Sequence, residues 1–261
     1  MYNQIVVNLF YMMVADSSMV TKQTTPRELR WSQKTDPLPV RQMQIPVPKN
    51  TYAWQLNSPA TIFSGDTSSP FDLGSRIRVF CEDVVRHCPE FGHIDPKRLL
   101  IGMTKARNSN PHGLQARVTP LRFTSGSLQE TRGEVTYQIQ RYFLDNTEFL
   151  YLVTFCLPRF LDQPFDEKLI TIFHELYHIS PKFDGDLRRH EGRYSLHSHS
   201  RHVYDQHMAE LARAYLSQKP NPKIFEFLRL NFLQLQHRHG SIAGVVVPHP
   251  KIVPIQSKVA R

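Results

Sequence analysis

From Phe71 onward, hydrophobic positions recur at spacings of three and four. Leu73, Ile77, Phe80, Cys81, Val84 and Val85 therefore share one face of a helix, which Pro89 and Gly92 end. The run from Arg98 to Thr104 (RLLIGMT) reads as a strand, and the turn-rich NSNPHG follows it. Further strands are predicted around Gln115 to Phe123 and Val135 to Phe143. The segment from Glu148 to Cys156 (EFLYLVTFC) is largely apolar and rich in β-branched or aromatic residues, so at least one of its faces is buried. After Pro158 the helical period returns. Asp162 or Gln163 can cap this helix, Pro164 suits its first turn, and Asp166 and Glu167 oppose the N-terminal dipole. It runs through LITIFHELYHI and stops near Ser180, because Pro181 disfavours a helical residue before it.

A His- and Arg-rich loop covers 181 to 199. A helix with Tyr204, Met208, Leu211 and Tyr215 on one face comes next, and another from Pro222 to His237 ends at Gly240. Helix, sheet and motif-bearing helix in that order predict an α+β fold, with helices packed on one side of a small, mostly antiparallel sheet. Residues 20 to 68 are rich in Pro, Thr, Gln and Ser without a sustained period. The expectation is a flexible extension over 1–69 with order beginning near Pro70. A main domain over 70–240 and an extended basic tail over 241–261 follow. Trp31 and Trp54 are candidates to dock on the body.

Composition narrows the setting. No apolar run approaches the roughly 20 residues that span a bilayer. The first segment lacks a basic start, and Ala15-Asp16-Ser17 makes a poor cleavage site. Three cysteines, Cys81, Cys88 and Cys156, do not make a disulfide framework, so buried free thiols and a cytoplasmic location are expected. The net charge of +9 is spread along the chain. It favours acidic partners, nucleic acid included, but no nucleic-acid-binding motif accompanies it.

The chemistry concentrates in His174-Glu175-Leu176-Tyr177-His178. His174 and His178 lie one helical turn apart on one face, so both imidazoles can reach one Zn²⁺ at about 2.0–2.1 Å. Glu175 can sit beside the open coordination position, accept a proton from the attacking water and return it to the leaving amine. Ile170, Ile172, Phe173, Leu176 and Ile179 supply a dry wall. Seven of the thirteen histidines fall between 174 and 207, which sets the motif apart from an ordinary surface helix.

A third ligand is required, and the candidates crowd downstream. Asp184 stands ten residues after His174, where long-motif zinc peptidases place theirs. His190, His197, His199 and His202 follow, and Glu210 offers a carboxylate on the next helix. His199 is favoured because it directly precedes the apolar helix that would fix its imidazole, and His197 is second. Asp184, Asp186 and Asp205 can instead orient the ligand imidazoles. Arg188 and Arg189 can hold a substrate carboxylate or pair with these aspartates. Tyr194 and Tyr204 are candidate oxyanion donors, although a Tyr on an apolar helical face is more often core. The 148–156 strand, if it lies beside the motif helix, can receive a peptide by β-addition.

The stretch HELYHISPKFDGDLRRHEGRYSLHSHSRHVYD, together with HIDPKRLLIGMTKAR and the strand before LPRF, resembles a family of metallopeptidases found in bacteria and phages. The resemblance covers about residues 70 to 250. It implies a compact zincin-like fold, with zinc on His174 and His178 and a base at Glu175, while a peptide or protein substrate is expected from that chemistry. The chain is also similar to compact SprT-like proteases, which act on proteins at DNA, but no zinc ribbon follows here. The expected function is a zinc metallopeptidase, a hydrolase. The alternatives are a structural-zinc module or an inactive zincin-like scaffold that binds protein or nucleic acid. Glu175 argues against both, since neither needs a base.

Overall fold

The computed structural model describes residues 28–32, 38–46, 69–108, 110, 113–189 and 201–257. The predicted first helix is α1, Leu73–His87. The Asp72 carboxylate caps it, accepting from the backbone N–H of Ser75 at 3.0 Å. Leu73, Ile77, Phe80, Cys81 and Val84 form its buried face. All three cysteines are free and buried.

The central sheet joins β4 (Leu99–Lys105), β10 (Tyr151–Leu157) and β5 (Ala116–Pro120) in the order β4-β10-β5. β10 runs parallel to β4 and antiparallel to β5. All its residues but Thr154 are buried, as its continuous apolar run requires. β10 is therefore the middle strand, with both edges paired. The expectation that this strand could receive a peptide is corrected: the outer strand on the side of the motif helix is β5.

Three further three-stranded sheets lie among the described residues. They are built from β1 (Glu28–Trp31), β8 (Arg141–Leu144) and β9 (Thr147–Phe149); from β2 (Val40–Met43), β11 (Ile242–Val245) and β3 (Phe71–Asp72); and from β12 (Ile252–Ser257), β7 (Val135–Ile139) and β6 (Gln129–Arg132). Antiparallel pairs predominate, but the strands are divided among small sheets rather than gathered into one. Order also reaches ahead of Pro70. β1 lies parallel to β8, β2 pairs with β11, and Trp31 stacks on buried Tyr142 at 5.5 Å. Trp54 falls outside the described residues. Two stretches of the C-terminal segment, β11 and β12, are paired strands.

The motif helix is α2, Phe165–Tyr177. Asp166 and Glu167 occupy its first turn, but Pro164 is the N-cap and no side chain caps it. Asp162 instead accepts from the N–H of Phe232 at 3.2 Å. Helix α3, Arg201–Ser217, packs against α2 and buries Met208, Ala212 and Tyr215. The predicted helix from Pro222 is broken. It becomes α4 (Pro222–Phe225), a 3-10 turn (Glu226–Arg229) and α5 (Phe232–His239). The break falls where Asn231 and Gln234 form a reciprocal capping box that starts a new helix. Among the described residues, no helix is long and apolar enough to cross a membrane.

One buried cation ties α2 to this broken region. Lys168 is 1% exposed, and its Nζ donates to the carbonyls of Leu228 (2.9 Å) and Leu230 (2.7 Å). These carbonyls sit where the helical ladder is interrupted, so the ammonium supplies donors that the backbone lacks there.

Candidate active site

Leu169, Ile172, Phe173 and Leu176 bury one side of α2 against the core, each worth about 1.5–3 kcal/mol. This packing fixes the helix's rotation and leaves His174 at the site with 19% of its side chain exposed. The motif occupies the last turn of α2 rather than its middle. His178 is the C-cap, still with helical dihedrals (φ −66°, ψ −17°), and its N–H donates to the His174 carbonyl at 3.2 Å.

The loop after the helix holds that end in place. The Arg188 N–H donates to the His178 carbonyl at 2.7 Å, and Ile179 forms a bridge with Leu187. The return uses positive φ at Phe183 (50°) and Gly185 (89°). Tyr151, in the central strand, pins the turn by accepting from the Gly185 N–H (2.9 Å) and donating to the Asp186 carbonyl (2.8 Å). The sequence reading did not pick out Tyr151. Its signal was a polar tip in a strand of mostly apolar residues.

The two imidazoles converge. His174 Nε2 and His178 Nε2 lie 2.8 Å apart, with ring centroids at 4.5 Å and planes at 76°. Two ring nitrogens within hydrogen-bond distance of each other, one helical turn apart, are close enough to share a cation, so this pair fits a metal ion. Asp205, on α3, brings a carboxylate oxygen to 3.8 Å from His174 Nδ1. That is where a group steering the ring would stand.

Glu175 projects to the buried side, toward the central sheet. Its Oε2 accepts from the backbone N–H of Val118, on β5, at 2.6 Å. Burial raises its carboxyl from the ordinary range to about 7, against smaller opposing effects of the Val118 hydrogen bond and the Arg117 charge. No side-chain pattern could have revealed Val118, because it contributes only its backbone.

The other candidates are distributed as follows. The Asp184 carboxylate accepts from the Asp186 N–H (3.2 Å), and the residue packs on Gly126, where an added Cβ would lie 2.8 Å from the Asp184 Cβ. Asp186 accepts from the N–H groups of Ser125 and Leu187 and from the Arg189 guanidinium. Arg188 lies over the Tyr177 ring at 3.9 Å and pairs with Glu90 at 3.3 Å. Glu210 is exposed. Tyr204 packs edge-on against His174, with centroids 4.8 Å apart. His190, Tyr194, His197 and His199 lie outside the described residues, as does the His202 side chain. Among the described residues, no three or more His, Cys, Asp or Glu side chains gather as a ligand set.

Residues 74–215, more than half of the chain, match the family described as "Putative phage metallopeptidase". The chain belongs to this family. The match spans α1, the central sheet, α2 and most of α3, so it contains every residue of the arrangement just described. No curated protein and no solved structure shows a significant match. Membership of the phage metallopeptidase family implies a metal ion and peptide or protein substrates.

Proposed function

We propose that this chain is a zinc-dependent peptidase of zincin-like fold, with His174 and His178 as metal ligands, His199 as the third, and Glu175 as general base. On this reading the catalytic domain spans 70–240. The observation that carries the reading is the convergence of His174 Nε2 and His178 Nε2 at 2.8 Å, one helical turn apart, with Glu175 on the same turn. A bound zinc ion would act as a Lewis acid, polarising the scissile carbonyl and making the attacking water more acidic.

The chain's own groups do the rest. Glu175 takes a proton from the water and delivers it to the leaving nitrogen, and a carboxyl raised to about 7 suits both tasks near neutral pH. The buried wall of Ile172, Phe173 and Leu176 limits competing water behind the motif. Val118 holds Glu175 through its N–H, so the carboxylate meets substrate in a fixed orientation. Because that N–H points away from β10, the same edge of β5 can align an extended peptide beside the site.

Zinc stoichiometry and cleavage of fluorescein-labelled casein, measured on wild type and Glu175→Gln, test the reading. The variant should keep its metal and lose activity. Equal activity in the two proteins, or a wild type that takes up no zinc, would sink it. Metal content of His190→Ala, His197→Ala, His199→Ala and Asp184→Ala then identifies the third ligand, with His199→Ala expected to show the largest loss.

A further inference from the structure

Tyr204 presents a polar group without a structural explanation. It lies on the first turn of α3, with its ring edge-on to His174 at 4.8 Å, edge-on to Tyr177 at 5.3 Å, and nearly parallel to His178 at 6.1 Å. Three aromatic neighbours fix the ring. Its hydroxyl is shut away from solvent and makes no hydrogen bond. Buried phenols normally find a partner, because an unmade bond leaves the cost of desolvation uncompensated.

The other tyrosines of the core show the contrast. The Tyr215 hydroxyl donates to Asp83 at 2.7 Å, that of Tyr151 to the Asp186 carbonyl, and that of Tyr142 to the Pro248 carbonyl at 3.0 Å. Arg188 sits on Tyr177 and pairs with Glu90 through one terminal nitrogen, leaving its Nε buried without a partner, while the Val118 N–H serves Glu175.

We infer that the Tyr204 hydroxyl is the hydrogen-bond donor to the oxyanion formed when a peptide carbonyl is attacked beside His174 and His178. The inference rests on the peptidase reading above and names a further catalytic residue within it. Glu175 removes one proton from water as the oxygen bonds to the carbonyl carbon. The C=O π pair moves onto the carbonyl oxygen, and the Tyr204 O–H donates to that oxygen without giving up its proton. The pair then returns to re-form the carbonyl, the C–N bond breaks, and the nitrogen takes the proton held by Glu175. The product acid and amine leave with Glu175 ionised again. A donor that is unpartnered in the resting chain loses no existing bond on meeting the oxyanion, so its hydrogen bond favours the transition state.

The test uses the full chain with zinc and a fluorogenic peptide built on the casein bond that wild type cleaves fastest. Tyr204→Phe should lower kcat about 100-fold with KM changed less than threefold. Its affinity for the phosphinic analogue of the same peptide, which mimics the tetrahedral species, should fall by a similar factor. Zinc content and thermal midpoint should stay at wild-type values, because no hydrogen bond is removed. An unchanged kcat in Tyr204→Phe, alongside an active wild type and an inactive Glu175→Gln, would overturn this assignment alone. So would a variant that loses zinc or unfolds, since the hydroxyl would then be structural. A wild type without chelator-sensitive cleavage would overturn the peptidase reading and this inference together.

Discussion

The backbone N–H of Val118 donates to Glu175 across 2.6 Å, joining the outer strand of the central sheet to the motif helix. Val118→Pro deletes this donor while keeping the ladder to β10, because the N–H faces away from that strand and proline is tolerated on a sheet edge. Zinc content should be unchanged and kcat should fall at least about tenfold, since a general base loses efficiency when it is no longer held. Steady-state kinetics beside metal analysis checks this. A variant as fast as wild type would show that Glu175 does not need the anchor.

Asp205 stands 3.8 Å from His174 Nδ1, on the opposite side of the ring from His178. Asp205→Asn should weaken zinc binding roughly tenfold, the lower end of what removing such outer partners costs. Competition with a chromogenic chelator measures it. Wild-type affinity would mean that the imidazole is oriented by its aromatic neighbours alone.

Lys168 gives a pH signature away from the metal. Burial lowers its ammonium to about 8, with the Asp162 charge acting in the opposite direction. The unfolded chain therefore holds more protons between about pH 8 and 10.5, and this group's contribution to stability rises with pH across that window. Lys168→Met should cost roughly 2 kcal/mol near neutrality, because two carbonyls lose their donor. Its deficit against wild type should grow by something on the order of 3 kcal/mol up to pH 10.5. Urea melts at several pH values decide the matter. A constant difference would mean that the amine is not titrating in the fold.

Glu148 has the same sign in an acidic window. Burial alone would raise its carboxyl, but hydrogen bonds and charge from Arg141 and Arg122, each at 2.6 Å, outweigh it and hold the carboxyl below its ordinary range. Its contribution is fully present above the ordinary range and is lost below it, as pH falls through the depressed value in the fold. Glu148→Gln should lower stability by about 1.5–3 kcal/mol near neutrality and by progressively less on acidification. An undiminished effect in acid would contradict the ion-pair account.

Local signals located the elements that build the site. The apolar face of α1 is the one its spacing dictates. Pro164 and Pro181 bracketed α2, although the helix ends at the motif's own His178 because Arg188 satisfies that carbonyl. What local pattern missed depends on distant partners. Glu28–Trp31 and Val40–Met43 have little periodicity of their own and become strands only on β8 and β11. The break before α5 was legible in Asn231 and Gln234 but was masked by a continuing apolar period. Within the site, His174, Glu175 and His178 were visible as a motif. Val118 acts through its backbone, and Tyr204, legible both as a candidate oxyanion donor and as a core tyrosine, is set apart by a buried hydroxyl without a partner.

β11 lies between β2 and β3, and Ile242 stands opposite both Met43 and Phe71. β2 and β3 are therefore joined by a segment made long after both. During synthesis at about 5–20 residues per second, the chain carries β2 and β3 without their shared partner until Ile242–Val245 has left the ribosome. Such long-range closure is slow, and it leaves strand edges open to other chains in the interval. The nascent chain is thus most exposed to aggregation after its motif helix is made and before Ile242–Val245 arrives.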